Sequence, residues 1–347
     1  MCNFTLDFAF SEGILSFSMK KLLYPLKFAP LYRRPAWGST LLAETFERGL
    51  PTNELIGESV ELIDHDDAQS VVANGALAGR TLRDLVATMP TELVGSRQQA
   101  SQPFPLHVKY LATGQRLPLF VHPDELASGT LTPAVANSKM WYIVASRPAV
   151  TVLAGIKPRY TQQQFLTALN SPELTEILQN FPSEPGDAYY LAAGRVHALE
   201  SGNLVLSIEQ RSADPQPVSY WGAAGSTPIT GTALKETLDS IHFQDRTIAR
   251  IRCESSTVQR NRKLPLVNLC PHFWIDELRL IQAMHERTDG STFHYIAALD
   301  GPVELTWGGE TMTLARGECS LVPAALGYYS IVPCGRLTKV IKATLRT

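Results

Sequence analysis

Apolar positions along the chain fall mainly in short alternating or continuous runs separated by Gly, Pro, Asn and Asp. Glu58–Ile63, Leu117–Val121, Met140–Val144, Ala188–Leu191 and Leu204–Ile208 combine β-branched and aromatic residues at strand length between turn formers, and each predicts a strand. Two stretches carry helical spacing instead. They are Thr81–Met89 and Thr161–Phe181, the second with apolar residues at Phe165, Leu166, Leu169, Leu174, Ile177, Leu178 and Phe181 and a break at Ser171-Pro172. Beyond residue 265 strands return without a helix: Phe273–Gln282, Phe293–Leu299, Val303–Trp307, Glu310–Ala315, Glu318–Val322, Tyr328–Val332 and Leu337–Ala343. Evenly spaced short strands with Gly turns predict a barrel or sandwich.

Composition changes this picture little. The 347 residues are 44% hydrophobic and 18% charged, with a formal net charge of −2, so no electrostatic pull toward nucleic acid or acidic membranes is expected. No apolar run is long enough to span a bilayer. Five widely spaced cysteines without a CxxC pair read as reduced thiols, and the expected location is the cytoplasm. Residues 1–18 lack the basic start of a secretory signal, and Met19-Lys20-Lys21 is the more natural beginning, so 1–18 is expected to be a tail that contributes little to the fold.

A phrase recurs in the two halves. Residues 186–197 read Gly-Asp-Ala-Tyr-Tyr-Leu-Ala-Ala-Gly-Arg-Val-His and residues 317–328 read Gly-Glu-Cys-Ser-Leu-Val-Pro-Ala-Ala-Leu-Gly-Tyr. Strand, tight turn and return strand aiming a ring side chain inward is the logic of both, and the pattern resembles the second motif of cupin barrels. His197 holds the ligand offset in the first copy and Tyr328 in the second, which predicts that the second barrel is structural and holds no metal. The expected architecture is all-β with a helical insert, two cupin (jelly-roll) barrels: an extension over 1–18, a first cupin domain over 19–225 with its insert at about 161–181, a connecting segment over 226–265, and a second barrel over 266–347.

Several phrases in order, Arg34-Pro-Ala-Trp-Gly38, Ile56–Glu61, Phe104–Tyr110, Val121-His-Pro-Asp124, Met140–Ile143 and Ala193–Ala198, resemble the type I mannose-6-phosphate isomerases. The resemblance implies an aldose–ketose isomerase of hexose-phosphate metabolism. It also implies one zinc held by a Gln and a His of a Q-V-H-P phrase, a Glu ahead of the W-Y strand, and the His of the G-x-x-H-A turn. Carried over, His122 and His197 are kept, but the Gln position holds Phe120 and the Glu position Lys139. Positions the family uses for a carboxylate and an arginine hold Ser207 and Pro217, and those linked to phosphate hold Pro118 and Asn137.

Zinc usually takes four donors, and an ammonium at position 139 repels a dication. Glu209, two residues beyond Ser207 and on the same strand face, can supply a carboxylate or pair with Lys139. His122 and His197 are thus the candidate metal residues. Lys139 and Glu209 are catalytic candidates, and Trp141, Lys139 and Glu209 substrate-binding candidates. His65, His107, His242, His272, His285 and His294 show no ligand-like spacing and are assigned to surface or core. The leading expectation is a homologue without the isomerase activity, binding a carbohydrate or sugar phosphate and no cofactor. The alternatives are a zinc isomerase with a rebuilt site, and a metal-free reaction using Lys139.

Overall fold

The computed structural model describes residues 23–123, 137–169, 171–211, 215–221 and 228–346; residues 1–18 and Asp124 lie outside them. The first half contributes eleven strands: β1 Leu31–Arg33, β2 Glu58–Leu62, β3 Leu106–Ala112, β4 Leu119–Val121, β5 Lys139–Ser146, β6 Thr151–Ile156, β7 Leu178–Pro182, β8 Ala188–Leu191, β9 His197–Leu199, β10 Asn203–Gln210 and β11 Gln216–Ser219. They form two antiparallel sheets, β1-β2-β3-β10-β5-β8 and β11-β4-β9-β6-β7. Ten more follow: β12 Ser256–Val258, β13 Asn261–Val267, β14 Phe273–Leu280, β15 Met284–Arg287, β16 His294–Ala298, β17 Val303–Trp307, β18 Glu310–Leu314, β19 Cys319–Val322, β20 Tyr328–Pro333 and β21 Thr338–Leu345. Their sheets run β12-β13-β14-β21-β16-β19 and β15-β20-β17-β18.

The second pair of sheets repeats the topology of the first, β14-β21-β16-β19 answering β3-β10-β5-β8. Each pair is a jelly-roll sandwich rather than a continuously bonded barrel. Segment 226–265 contains the helix Gly231–Asp239, strand β12 and the start of β13. Among the described residues no helix is long and apolar enough to cross a membrane, and Cys253, Cys270, Cys319 and Cys334 form no disulfide.

Strand alternation explains how one chain builds two faces at once. On β3, Leu106, Val108, Tyr110 and Ala112 join the largest apolar cluster, whereas Leu111 belongs to the sandwich interior. The same split puts Met140 and Tyr142 of β5 and Leu204, Leu206 and Ile208 of β10 outward, and Trp141, Ile143 and Val205 inward. The outward set packs against Phe273, Ile275, Tyr295, Ala297, Ile341 and Ala343 of the second half, so the two six-stranded sheets stack back to back. Burial on both faces is why β5 and β10 read as nearly continuous apolar runs. Across this interface Tyr142 donates a 2.7 Å hydrogen bond to Glu277 Oε2.

Two local expectations are corrected. The helical reading of Thr161–Phe181 holds for Gln162–Ala168, capped by Thr161 and Gln164, and for Leu174–Ile177, but Leu178–Pro182 is β7. Pairing of Phe181, Asn180 and Leu178 with Val152, Leu153 and Ile156 overrides the helical spacing there. In the second copy of the repeated phrase, Tyr328 is not aimed inward. It is 75% exposed, while Tyr329 is buried with its hydroxyl 2.7 Å from His294 Nδ1. The left-handed residue sits at Gly194, three before His197, but at Gly327, immediately before Tyr328, and this later turn changes which residue of β20 faces in.

Candidate functional site

The polar interior of the first sandwich is assembled by register. On the six-stranded sheet Glu209 pairs with both His107 and Lys139, and Ser207 with both Lys109 and Trp141. On the facing sheet Phe120 pairs with His197, and Pro217 with Phe120. The His122 and His197 rings lie parallel, 5.6 Å between centroids and 3° apart in plane, and Trp141 meets His197 edge-on at 5.2 Å. Trp141 itself is buried in the apolar core.

Lys139 occupies the middle. Its residue is 5% exposed, and Nζ stands 2.6 Å from His122 Nε2 and 3.2 Å from Glu209 Oε2. The other Glu209 oxygen faces Lys109 Nζ at 3.5 Å and His107 Nδ1 at 3.3 Å, and Lys109 also reaches Glu58 at 3.5 Å. Lys139 is therefore no solvated surface charge, and Glu209 no rim charge. Of the two roles open to Glu209 the structure shows the ion pair.

Burial alone would raise the Glu209 carboxyl, but Lys109 and Lys139 override it and hold it well below the usual carboxylate range. Lys139 is lowered by burial, against the pull of Glu209. Burial, reinforced by the Lys139 charge, pushes His122 well down and His197 to about 3. Both imidazoles are thus neutral. His197 Nδ1 donates to the Arg195 carbonyl at 2.9 Å, which leaves Nε2 as the bare nitrogen. For His122 the bare nitrogen is Nε2, which accepts from Lys139.

His107 and Lys109 are the residues the sequence reading missed. His107 lies inside the cluster, pushed to about 3 by burial, with Glu209 opposing. The available signal was their period-two placement in Leu106-His-Val-Lys-Tyr110, on the face opposite Val108 and Tyr110.

A cavity of about 360 Å³ adjoins this cluster, lined by His107, Lys109, His122, Asn137, Lys139 and Glu209 together with Arg33, Arg211 and the loop from Asp64 to Asp67. His107 Nε2, His122 Nδ1, Trp141 Nε1 and Ser207 Oγ, all on this interior, are buried without a hydrogen-bond partner. Unpaired buried polar atoms cost about 1–3 kcal/mol each, so their clustering marks a place where polar groups are to be met.

The donor set does not suit zinc. His122 Nε2 points its lone pair at an ammonium, Glu209 is engaged by three cationic or N–H partners, and the phenyl of Phe120 offers no donor. Among the described residues no three His, Cys, Asp or Glu side chains converge as a metal-binding group.

Comparison with known proteins places the chain. Residues 26–145 match the family described as phosphomannose isomerase type I, catalytic domain. Mannose-6-phosphate isomerase ManA of Bacillus subtilis is 33% identical over 316 residues, covering 88% of this chain and 95% of its own length. "Probable mannose-6-phosphate isomerase GmuF" of the same organism is 31% identical over 192 residues, so the chain spans 59% of that relative's length. A crystal structure of the mannose 6-phosphate isomerase from B. subtilis superposes with a TM-score of 0.78 at 23% identity, covering 92% of this chain and 99% of the other, and shows the shared fold. The chain belongs to the type I mannose-6-phosphate isomerase family.

Proposed function

We propose that this member binds a carbohydrate without isomerising it, and that the Lys139 ammonium stands where its relatives' chemistry calls for a metal. The observation that carries the reading is the position of Lys139 Nζ, 2.6 Å from His122 Nε2 and 3.2 Å from Glu209 Oε2. A lysine so placed supplies a positive charge from the chain itself and occupies the lone pair that a metal would need. The pocket supports the sugar-binding half: its volume lies at the lower end of ordinary small-molecule sites, and its walls carry two buried polar atoms with unmet hydrogen bonds, His107 Nε2 and His122 Nδ1.

The decisive measurement is made on the purified full chain equilibrated with zinc and dialysed. Less than stoichiometric metal, no conversion of mannose 6-phosphate to fructose 6-phosphate, and a calorimetric signal with a hexose are expected. Stoichiometric zinc with turnover would establish the alternative of a rebuilt zinc isomerase. Turnover without zinc that disappears in Lys139→Met would establish a metal-free reaction at Lys139 instead.

A further inference from the structure

We propose that the pocket takes an uncharged sugar or polyol and discriminates against the corresponding phosphate ester. The inference rests on the sugar-binding reading above and names the class of ligand within it. A phosphate monoester brings a charge of about −1.5 to −2, and proteins meet it with arginine or lysine groups free to turn toward it. Here the two lysines that line the pocket are committed. Lys139 is held by Glu209 at 3.2 Å, and Lys109 stands between Glu58 and Glu209 at 3.5 Å from each. Arg33 faces Glu58 at 3.4 Å, and Arg211 Nε donates to the Asp64 carbonyl at 2.8 Å.

Against these four stand four lining carboxylates, Asp64, Asp66, Asp67 and Glu209, so the wall is electrically balanced. Drawing Lys139 or Lys109 toward a phosphate would strip the buried Glu209 of a partner, a severe penalty. A sugar hydroxyl carries no such demand. It both donates and accepts, and so matches the unpartnered His107 Nε2 and His122 Nδ1.

The test is calorimetry on the full chain with D-mannose, D-mannitol, mannose 6-phosphate and inorganic phosphate at low ionic strength, where any free cation would most favour the ester. One of the uncharged ligands should bind about tenfold or more tightly than the ester, with no heat from phosphate. An ester that binds equally or better would overturn this inference and leave the sugar-binding reading standing. If none of the four binds, that reading fails and the inference with it. Asn137→Lys adds a cation to the pocket wall, and should raise ester affinity about fivefold or more. A folded variant with unchanged ester affinity would show that charge balance is not what sets the preference.

Discussion

Lys139 and His122 share one hydrogen bond of 2.6 Å between Nζ and Nε2, in the polar interior of the first sandwich. Removing that ammonium alone does not make a metal site, because Phe120 still withholds a donor. Phe120→Gln together with Lys139→Glu should therefore act as a pair. The two changes add an amide oxygen and a carboxylate to His122 and His197, whose parallel rings already lie 5.6 Å apart. Zinc titration should show no tight binding in the wild type or in Phe120→Gln, weak binding in Lys139→Glu, and stoichiometric binding in the double variant. The double variant's Tm should rise with zinc, by linkage, while the wild type's should not. Tight zinc in the wild type would overturn the lysine-for-metal reading.

Acid should weaken the fold well above the carboxylate range. His107 and His197 sit at about 3 in the folded chain, mainly through burial, against an ordinary value of 6.5. Below pH 6.5 the unfolded chain takes up protons that the native chain refuses, so stability falls as pH drops from 6.5 toward 3. Each histidine contributes up to about 1.4 kcal/mol per pH unit within that window. Glu209 adds to the loss only below about pH 4.5, its folded value being depressed. Urea denaturation between pH 7 and 4.5 should show this slope, and His107→Gln should reduce it by about one proton. An unchanged slope would mean that His107 titrates normally in the fold.

How far these features could be read from the sequence depends on which interaction decides them. Strands β5 and β10 were legible because both their faces are buried, and the runs through Tyr142, Val205 and Leu206 stay apolar; β3 was not among the expected strands, and His107 and Lys109 interrupt its apolar run. The edge strand at Leu178–Pro182 was not, because its helical spacing yields to pairing with β6, which no local pattern announces. Lys139, Glu209 and the two histidines were found through family phrases. His107 and Lys109 were missed because a polar residue on a strand reads the same whether it faces solvent or a buried carboxylate. The one-residue difference between Tyr328 and Tyr329 turned on where a left-handed glycine falls, and offset alone does not encode that.

Glycine requirements in the repeated phrase can be tested directly. Gly317 has φ +85, and a Cβ there would lie 2.6 Å from the buried Phe46 ring, whereas Gly49 has φ +67 and open space around it. Both Ala variants carry the left-handed strain of about 1–2 kcal/mol. Gly317→Ala must in addition displace an aromatic ring in the core between the two halves, so its Tm should fall clearly further than that of Gly49→Ala. Equal losses would mean that Phe46 has room to move.

The ion-pair cluster itself predicts an asymmetry. Glu209 is the shared counter-charge of Lys139 and Lys109, so Glu209→Gln leaves the buried Lys139 ammonium without a carboxylate and the half-buried Lys109 with only Glu58. Breaking a buried pair in this sense costs about 3–5 kcal/mol. Lys139→Met is milder, since Glu209 keeps Lys109 and His107 and a methionine fills similar volume; the unpartnered His122 Nε2 sets its cost at about 1–2 kcal/mol. The double variant removes both the stranded ammonium and the carboxylate, so it should be little worse than Lys139→Met alone. The coupling energy from urea unfolding at pH 7 should then be nearly the whole Glu209→Gln loss, about 3–5 kcal/mol, with the two losses far from additive. Losses that add to within about 0.5 kcal/mol would mean that the two charges do not sense each other, and that Lys139 is not held in place by Glu209. The sugar-binding site would then lack the fixed cation on which the proposed function depends.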